Sequence, residues 1–274
     1  MSETILVTGS AGEIGRHLRA TLRRPGRRLV LLDVAEQAPL EPGEDAEIVT
    51  ASFTDPTAIA GACAGVDAVI HLGGLSTYGY AFADYLVVNV EGTRQVLEAA
   101  RSHGVARVVY ASSHHAVGFH PNTPGSVVPD DLAARPDSYY GVSKVAGEAL
   151  ASLYHDRYGL DVISVRIGSY RSVPSDRRTL WNWLSPGDCT RLFEATLATP
   201  SPGYRVVWGV SANTARIAAL EGSAAIGYRP LDDAADYADR VPDDPEPWDR
   251  IGGLYSEPTI DDAPTRRAGP STSP

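Results

Sequence analysis

Short apolar runs alternate with longer amphipathic stretches over the first 170 residues of the chain. Residues 4–8 form a β-branched run that leads into glycines and then a helical pattern from 13 to 23. Runs of the same strand character recur at 28–33, 47–50, 68–72, 107–111 and 161–166, and helical periodicity fills 56–63, 83–102 and 138–158. Apolar strands alternating with amphipathic helices form a parallel sheet covered on both faces, with right-handed crossovers. The pattern therefore predicts an α/β fold with a doubly wound parallel sheet. Past residue 170 it loosens: Pro, Gly and Trp become frequent, and short helices and one strand at 204–208 remain. A smaller cap is expected at 171–260, interleaved with the last strands. The polar, Pro/Ser/Thr-rich stretch 261–274 reads as a disordered or loosely packed tail.

Composition narrows the field. The 274 residues carry a formal net charge of −10, which sets a repulsive field against nucleic acid and anionic membranes. No stretch is apolar for the roughly 18 residues that a membrane span needs. The acidic start, Ser2-Glu3-Thr4, runs straight into a strand pattern, so no signal peptide is expected. Cys63 and Cys189 are far apart and form no CxxC pattern, so they are expected as buried thiols in a reducing compartment, the cytoplasm. The chain uses arginine almost wherever a cation is wanted and contains a single lysine, Lys144. An ammonium is a compact point charge that a guanidinium does not replace.

Gly9, Gly12 and Gly15 lie between the first strand and the first helix. Glycines there permit a tight turn, close approach of the backbone to a pyrophosphate and close packing of helix on strand, while the helix N-terminus offers N–H groups to the phosphates. Asp33 ends the second strand, where a carboxylate accepts from both ribose hydroxyls and repels a 2′-phosphate; this favours NAD over NADP. Residues 1–170 thus read as a Rossmann-type core for a dinucleotide. Tyr140 and Lys144 are four apart at the start of a helical segment and share one face, whereas Tyr139 points elsewhere. A neighbouring ammonium is expected to lower the phenol pKa from its usual value near 10 and so to prepare a general base. Ser112 and Ser113 follow the fifth strand, at the sheet edge where ligands sit in such folds, and a serine there can orient a substrate hydroxyl.

The glycine motif, Asp33, Ser113 and Tyr140-x-x-x-Lys144 resemble the extended short-chain dehydrogenases of the NAD-dependent epimerase/dehydratase superfamily. Three longer strings, at 112–118, 165–169 and 207–213, look like uronate dehydrogenases, and the similarity spans roughly residues 4–258. The resemblance implies a homo-oligomeric, NAD-dependent enzyme with a C-terminal substrate-binding cap. It implies oxidation of a free hexuronic acid, galacturonate or glucuronate, at C1 to the aldaro-1,5-lactone. Catalysis would fall to Tyr140, Lys144 and Ser113. Cofactor contacts would come from Gly9, Gly12, Glu13, Ile14, Gly15, Asp33, Ser52, Phe53, Leu72, Gly73, Asn89, Tyr140, Lys144 and Ile167. Ser76, Ser113, His114, His115, Ser169, Arg178 and Tyr255 would line the sugar site. A uronate needs one fixed cation, and Arg171, Arg177 and Arg178 all follow the sixth strand; the resemblance selects Arg178 for a bidentate contact.

The sequence departs from that family at three places: His114 stands where Asn is expected, Ser52 where Asp is expected near the adenine, and Tyr255 where Phe is expected. With Ser52 the adenine contact is expected to pass to the backbone of Phe53. Asn89 reads equally as a cofactor-side asparagine or as a structural amide, and His71 as a packed structural histidine. His114 and His115 are adjacent and on an extended chain would face opposite ways, so no metal site is expected. Two rival functions stand. An epimerase or dehydratase acting on a nucleotide-linked sugar would resemble chains with an acidic pair after the serine, where histidines stand here. A non-catalytic dinucleotide sensor would have no use for Tyr140 and Lys144.

Overall fold

The structure is a computed structural model that describes residues 2–123, 125–242, 249–262 and 266. Seven strands form one sheet: β1 (Glu3–Thr8), β2 (Arg27–Asp33), β3 (Ala46–Thr50), β4 (Ala68–His71), β5 (Arg107–Ser113), β6 (Asp161–Ile167) and β9 (Tyr204–Gly209). Their order is β3-β2-β1-β4-β5-β6-β9 and every pairing is parallel. β9, read from the sequence as the strand of the cap region, pairs along β6 from Val162↔Tyr204 to Ile167↔Gly209 and forms the sheet's outer edge. The order reverses between β1 and β4, and a crevice opens at the C-terminal ends of these strands, where ligands bind in open α/β sheets.

Alternation along each strand loads both faces. Ile5, Val7, Leu29, Leu31, Ile70, Val109 and Ile163 pack under α1 (Glu13–Thr21) and α7 (Pro186–Ala198) with Leu18, Leu192 and Phe193. Leu6, Val30, Leu32, Val69 and Val108 pack on the other side with Ile59 of α2 (Pro56–Ala62), Val96 and Leu97 of α4 (Gly92–Ser102) and Ala151 of α5 (Tyr139–Tyr158). A third cluster, including Val117, Trp181, Trp208, Ile217 and Ile251, joins the loop after β5 to the later segments. Those segments also hold a two-stranded ribbon, β7 (Ser169–Tyr170) with β8 (Trp183–Leu184), and two short helices, α6 (Thr179–Asn182) and α8 (Glu221–Ala225).

Three elements differ from the sequence pattern. The helix expected at 83–102 begins as α3 (Phe82–Tyr85), widens into a π-turn at Leu86–Glu91 and resumes as α4. The cause is Asn89: its side chain reaches across to Leu75 N and Leu75 O at 2.7 and 3.0 Å, while its carbonyl accepts from the Thr93 hydroxyl at 2.5 Å. β5 and β6 run on through Ser113 and Ile167, because the polar Ser112 and Arg166 inside them are both bonded to buried Glu148 of α5. Of the tail expected at 261–274, only residues 261, 262 and 266 are described. Asp261 is docked rather than loose, accepting from the Tyr139 backbone N–H at 2.8 Å.

Candidate active site

One cleft of about 1300 Å³ follows the C-terminal edge of the sheet from Asp33 to Arg178. Its first end is shaped for a dinucleotide. Gly9 has φ +71°, and a Cβ there would come within 2.6 Å of Gly73 N, so only glycine lets the loop after β1 lie against the loop after β4. Gly12 begins the turn into α1, whose first-turn residues Glu13, Ile14 and Gly15 line the cleft. Asp33 half-faces the cleft; its Oδ2 accepts from Ala11 N at 2.9 Å and its Oδ1 from Ala35 N at 3.0 Å, which ties it to the glycine loop. Ser52 lines the same end with its hydroxyl 2.7 Å from that of Thr54. The Phe53 ring turns inward, 5.1 Å from the His71 ring and against Gly73 and Gly92, so its backbone remains the part suited to an adenine. This backbone cradle, which any Cβ at Gly9 would obstruct, fits a dinucleotide.

The middle of the cleft holds the tyrosine–lysine pair. Ser138 caps α5 by accepting from Gly141 N at 3.1 Å, which places Tyr140 in the first turn and Lys144 one turn on, both buried, with Tyr139 outside. Lys144 Nζ donates to Ala111 O at 2.8 Å and lies 5.2 and 5.6 Å from the centres of the Tyr110 and Tyr140 rings. Burial pushes the Lys144 ammonium down to about 8, with Glu148 pulling the other way. The expectation that Lys144 lowers the Tyr140 pKa is corrected here. Burial raises the phenol above 10, and the Ser113 hydroxyl opposes it. The two serines also separate: Ser112 Oγ bonds Glu148 Oε1 at 2.6 Å behind the cleft, leaving Ser113 to face Tyr140.

The far end is lined by Ser76, His114, His115, Ser169, Arg178 and Tyr255. His114–Val117 is a 3₁₀ turn, not extended chain, so the two imidazoles lie side by side with ring centres 4.0 Å apart. The premise that they face opposite ways therefore fails, although no group of three or more His, Cys, Asp or Glu gathers among the described residues. His114 Nδ1 donates to Ile167 O at 3.1 Å and its Nε2 has no partner. His115 Nδ1 is 2.7 Å from Asp137 Oδ2. Burial and the nearby Arg178 charge keep both imidazoles neutral well below 6.5. Tyr255 stacks on His115 at 3.8 Å and its hydroxyl meets that of Thr77 at 2.9 Å.

The three arginines separate as well. Arg178 is half-buried on the cleft wall; loss of solvation lowers its pKa, and none of the ion pairs found among the described residues includes it. Arg171 stands at the dinucleotide end, 3.9 Å from Glu13, and Arg177 is exposed.

The structure brings to this cleft every residue that the sequence placed there except Asn89, which is buried behind the loop at Leu75 and bonded to Ser143 Oγ at 2.9 Å. His71 is fully buried between Thr8 Oγ1 at 2.7 Å and Thr93 Oγ1 at 3.1 Å. The sequence reading missed Asp137. Its only signal was an acid just before the Ser138 cap of a helix, an ordinary surface position.

The chain is 41% identical over 245 residues to uronate dehydrogenase of Pseudomonas syringae pv. tomato, covering 89% of this chain and 88% of that protein. It is 38% identical to uronate dehydrogenase of Agrobacterium fabrum, covering 93% and 97%, and 31% identical to an NAD-dependent glucose-6-phosphate dehydrogenase of Haloferax volcanii, covering 86% and 96%. Among solved structures, a mutant uronate dehydrogenase from Agrobacterium tumefaciens complexed with NAD superposes with a TM-score of 0.88 at 35% identity, over 95% of this chain and all of that one. Glucuronic acid dehydrogenase from Chromohalobacter salexigens gives 0.88 at 33%, over 96% and 99%. With the NAD dependent epimerase/dehydratase family model matching residues 5–178, the cradle at Gly9 and the Tyr140–Lys144 pair take their place in a known lineage: the chain belongs to that family.

Proposed function

We propose that the chain is an NAD-dependent uronate dehydrogenase that oxidises free galacturonate or glucuronate at C1 to the aldaro-1,5-lactone. The observation that carries the reading is Arg178, a desolvated guanidinium on the wall that also presents His114 and His115, at the end of the cleft beyond Tyr140. A cation drawn out of water is costly unless an anion meets it, and a hexuronate carboxylate meets it bidentately. Holding the carboxylate there places the pyranose across Tyr140, with its C1 hydroxyl toward the phenol and Ser113. Tyr140 takes the hydroxyl proton, and Lys144, bonded to β5 through Ala111 O, would hold the nicotinamide ribose. NAD, when bound, supplies the hydride acceptor and a positive ring charge beside the phenol. Relatives that bear the names of uronate and glucuronic acid dehydrogenases support the same reading.

A homo-oligomer is proposed too, supported by exposed Phe82, Leu86, Tyr139 and Val142 on neighbouring helices. A reducing compartment, the cytoplasm, is supported by two buried free cysteines. No helix among the described residues is long and apolar enough to cross a membrane. The test is NADH formation by purified protein across free uronic acids, the matching neutral aldoses, sugar 6-phosphates and UDP-sugars. Uronic acids are expected to lead by an order of magnitude or more in kcat/KM, roughly the worth of one charge-assisted contact. Preference for a phosphate ester or a nucleotide sugar would replace the proposal.

A further inference from the structure

Asp137 is buried without solvent contact and belongs to none of the steps above. Its Oδ1 accepts from Ser138 Oγ at 2.9 Å, and its Oδ2 faces His115 Nδ1 at 2.7 Å. Room for it is made by glycines from three separate segments. A Cβ on Gly118 or on Gly252 would overlap Oδ2, and one on Gly141 would reach Oδ1 at 3.1 Å. The same segments are stitched around it, with Gly252 N bonded to Gly118 O at 2.9 Å and Asp137 N to His115 O at 3.4 Å. Burying a carboxylate opposes folding unless its lone pairs are filled. Here three parts of the chain converge to bury one against a single imidazole.

We infer that Asp137 is a positioning residue for the sugar: it holds His115 as the Nδ1–H tautomer and so fixes Nε2 as an acceptor for a substrate hydroxyl beside Arg178. The inference rests on reading the cleft as a uronate site. The carboxylate accepts, so Nδ1 must donate, and the second ring nitrogen then keeps its lone pair. His114 repeats the logic, since Nδ1 donates to Ile167 O and Nε2 is a buried acceptor without a partner. The His115 ring is held on both sides, by His114 at 4.0 Å and by Tyr255 at 3.8 Å. The charged and titratable groups around the pair are His114, Arg178, Tyr140 and Tyr255, with Asp261 acting on Asp137 from beyond. Burial lifts Asp137 to about 6, so at neutral pH it is ionised beside a neutral imidazole. The wall thus offers one cation and, in His115 Nε2, one fixed acceptor. It reads an acid whose carbon chain carries free hydroxyl donors, not one whose hydroxyls are methylated or removed.

Asp137→Asn is the test. An amide can donate as well as accept, which releases the wrong tautomer while keeping the shape. The expected result is a KM for the uronate raised at least about tenfold, with kcat less affected and NAD affinity and Tm near wild type, on the scale of one lost hydrogen bond to a polar substrate group. Nitrogen NMR of the imidazoles should show Nδ1–H for His115 in the wild type and a shift toward Nε2–H in the variant. The acid limb of kcat/KM near pH 6 should disappear. If Asp137→Asn does not fold, His115→Gln, which keeps the Asp137 carboxylate, is expected to give the same rise in KM. Wild-type His115 as Nε2–H overturns the inference, as does an unchanged KM in the folded variant. A wild type that turns over no uronic acid would instead overturn the proposed function.

Discussion

Removing the cation at Arg178 should cost the enzyme its substrate and leave its fold intact. The residue is half-buried, its charge is held against a loss of solvation, and no ion pair found among the described residues includes it. No neighbour can replace it: Arg171 lies beside Glu13 at the dinucleotide end, Arg177 is exposed, and His114 and His115 are neutral. A charge-assisted bidentate contact contributes about 1.5–3 kcal/mol, and about 1.4 kcal/mol is a factor of ten. Arg178→Ala should therefore lower kcat/KM for galacturonate or glucuronate about 10- to 100-fold by that scale. Arg178→Lys should recover only part, since the fork that meets a carboxylate is lost. Tm should hold or rise, because a desolvated charge has been removed, and NAD affinity should not change. The assay is initial NADH formation with each uronate and its neutral aldose. If both fall by the same factor, so that their ratio is unchanged, Arg178 does not read the carboxylate and the argument fails.

Tyr140→Phe should keep NAD binding and lose turnover about 10²–10⁴-fold, the usual loss for one general base; near-normal kcat would remove Tyr140 from the chemistry. Asp33→Ala should narrow the preference for NAD over NADP in paired kcat/KM measurements, and a wild type that uses both equally would refute the role given to Asp33. Lys144→Met should abolish activity yet raise Tm at pH 7, because burial lowers the ammonium from 10.5 to about 8 and the folded state resists the charge. Between about pH 8 and 10.5 the unfolded chain binds this proton and the folded chain has lost it, so wild-type stability should gain on the variant as pH rises. A stability gap that does not vary over that range would show that Lys144 is not desolvated.

What the sequence made legible depends on local spacing. The strands alternate apolar residues that fill the two faces of the sheet, the glycines open the turn before α1, and positions 140 and 144 share a helix face. What stayed hidden depends on partners far along the chain. The sequence reading stopped the fifth strand before Ser112 and the sixth at Arg166; the partner of both side chains is Glu148, from the middle of α5. The π-turn at Leu86–Glu91 follows from one amide bridging to Leu75. The His114–His115 pair was misjudged because backbone conformation there was taken as extended, and Asp137 because an acid next to a helix cap gives no sign that His115, Gly118 and Gly252 surround it.

The correction at Tyr140 changes how the base must work. Burial drives the phenol up and the ammonium down for the same reason, that a dry pocket disfavours both charged forms. Proximity of the two is therefore not enough, and the protein supplies the difference through residues outside the tyrosine–lysine motif. Ser113 favours the phenolate, Ala111 O holds the ammonium, and Glu148, one further turn along α5, opposes the burial that lowers Lys144. Glu148 in turn is gripped by Arg166 at 3.0 and 2.8 Å, and Arg166 reaches the carbonyls of Asp130 and Leu132 at 3.3 and 2.9 Å. The charge that tunes the lysine is thus fastened to the segment at residues 130–132 and, through the Trp208 N–H bonded to Asp130 Oδ1 at 3.1 Å, to β9. Residues 130–132, β9 and α5 share one network through Arg166 and Glu148, so a change that loosens residues 130–132 should be felt at Lys144 without touching the cleft.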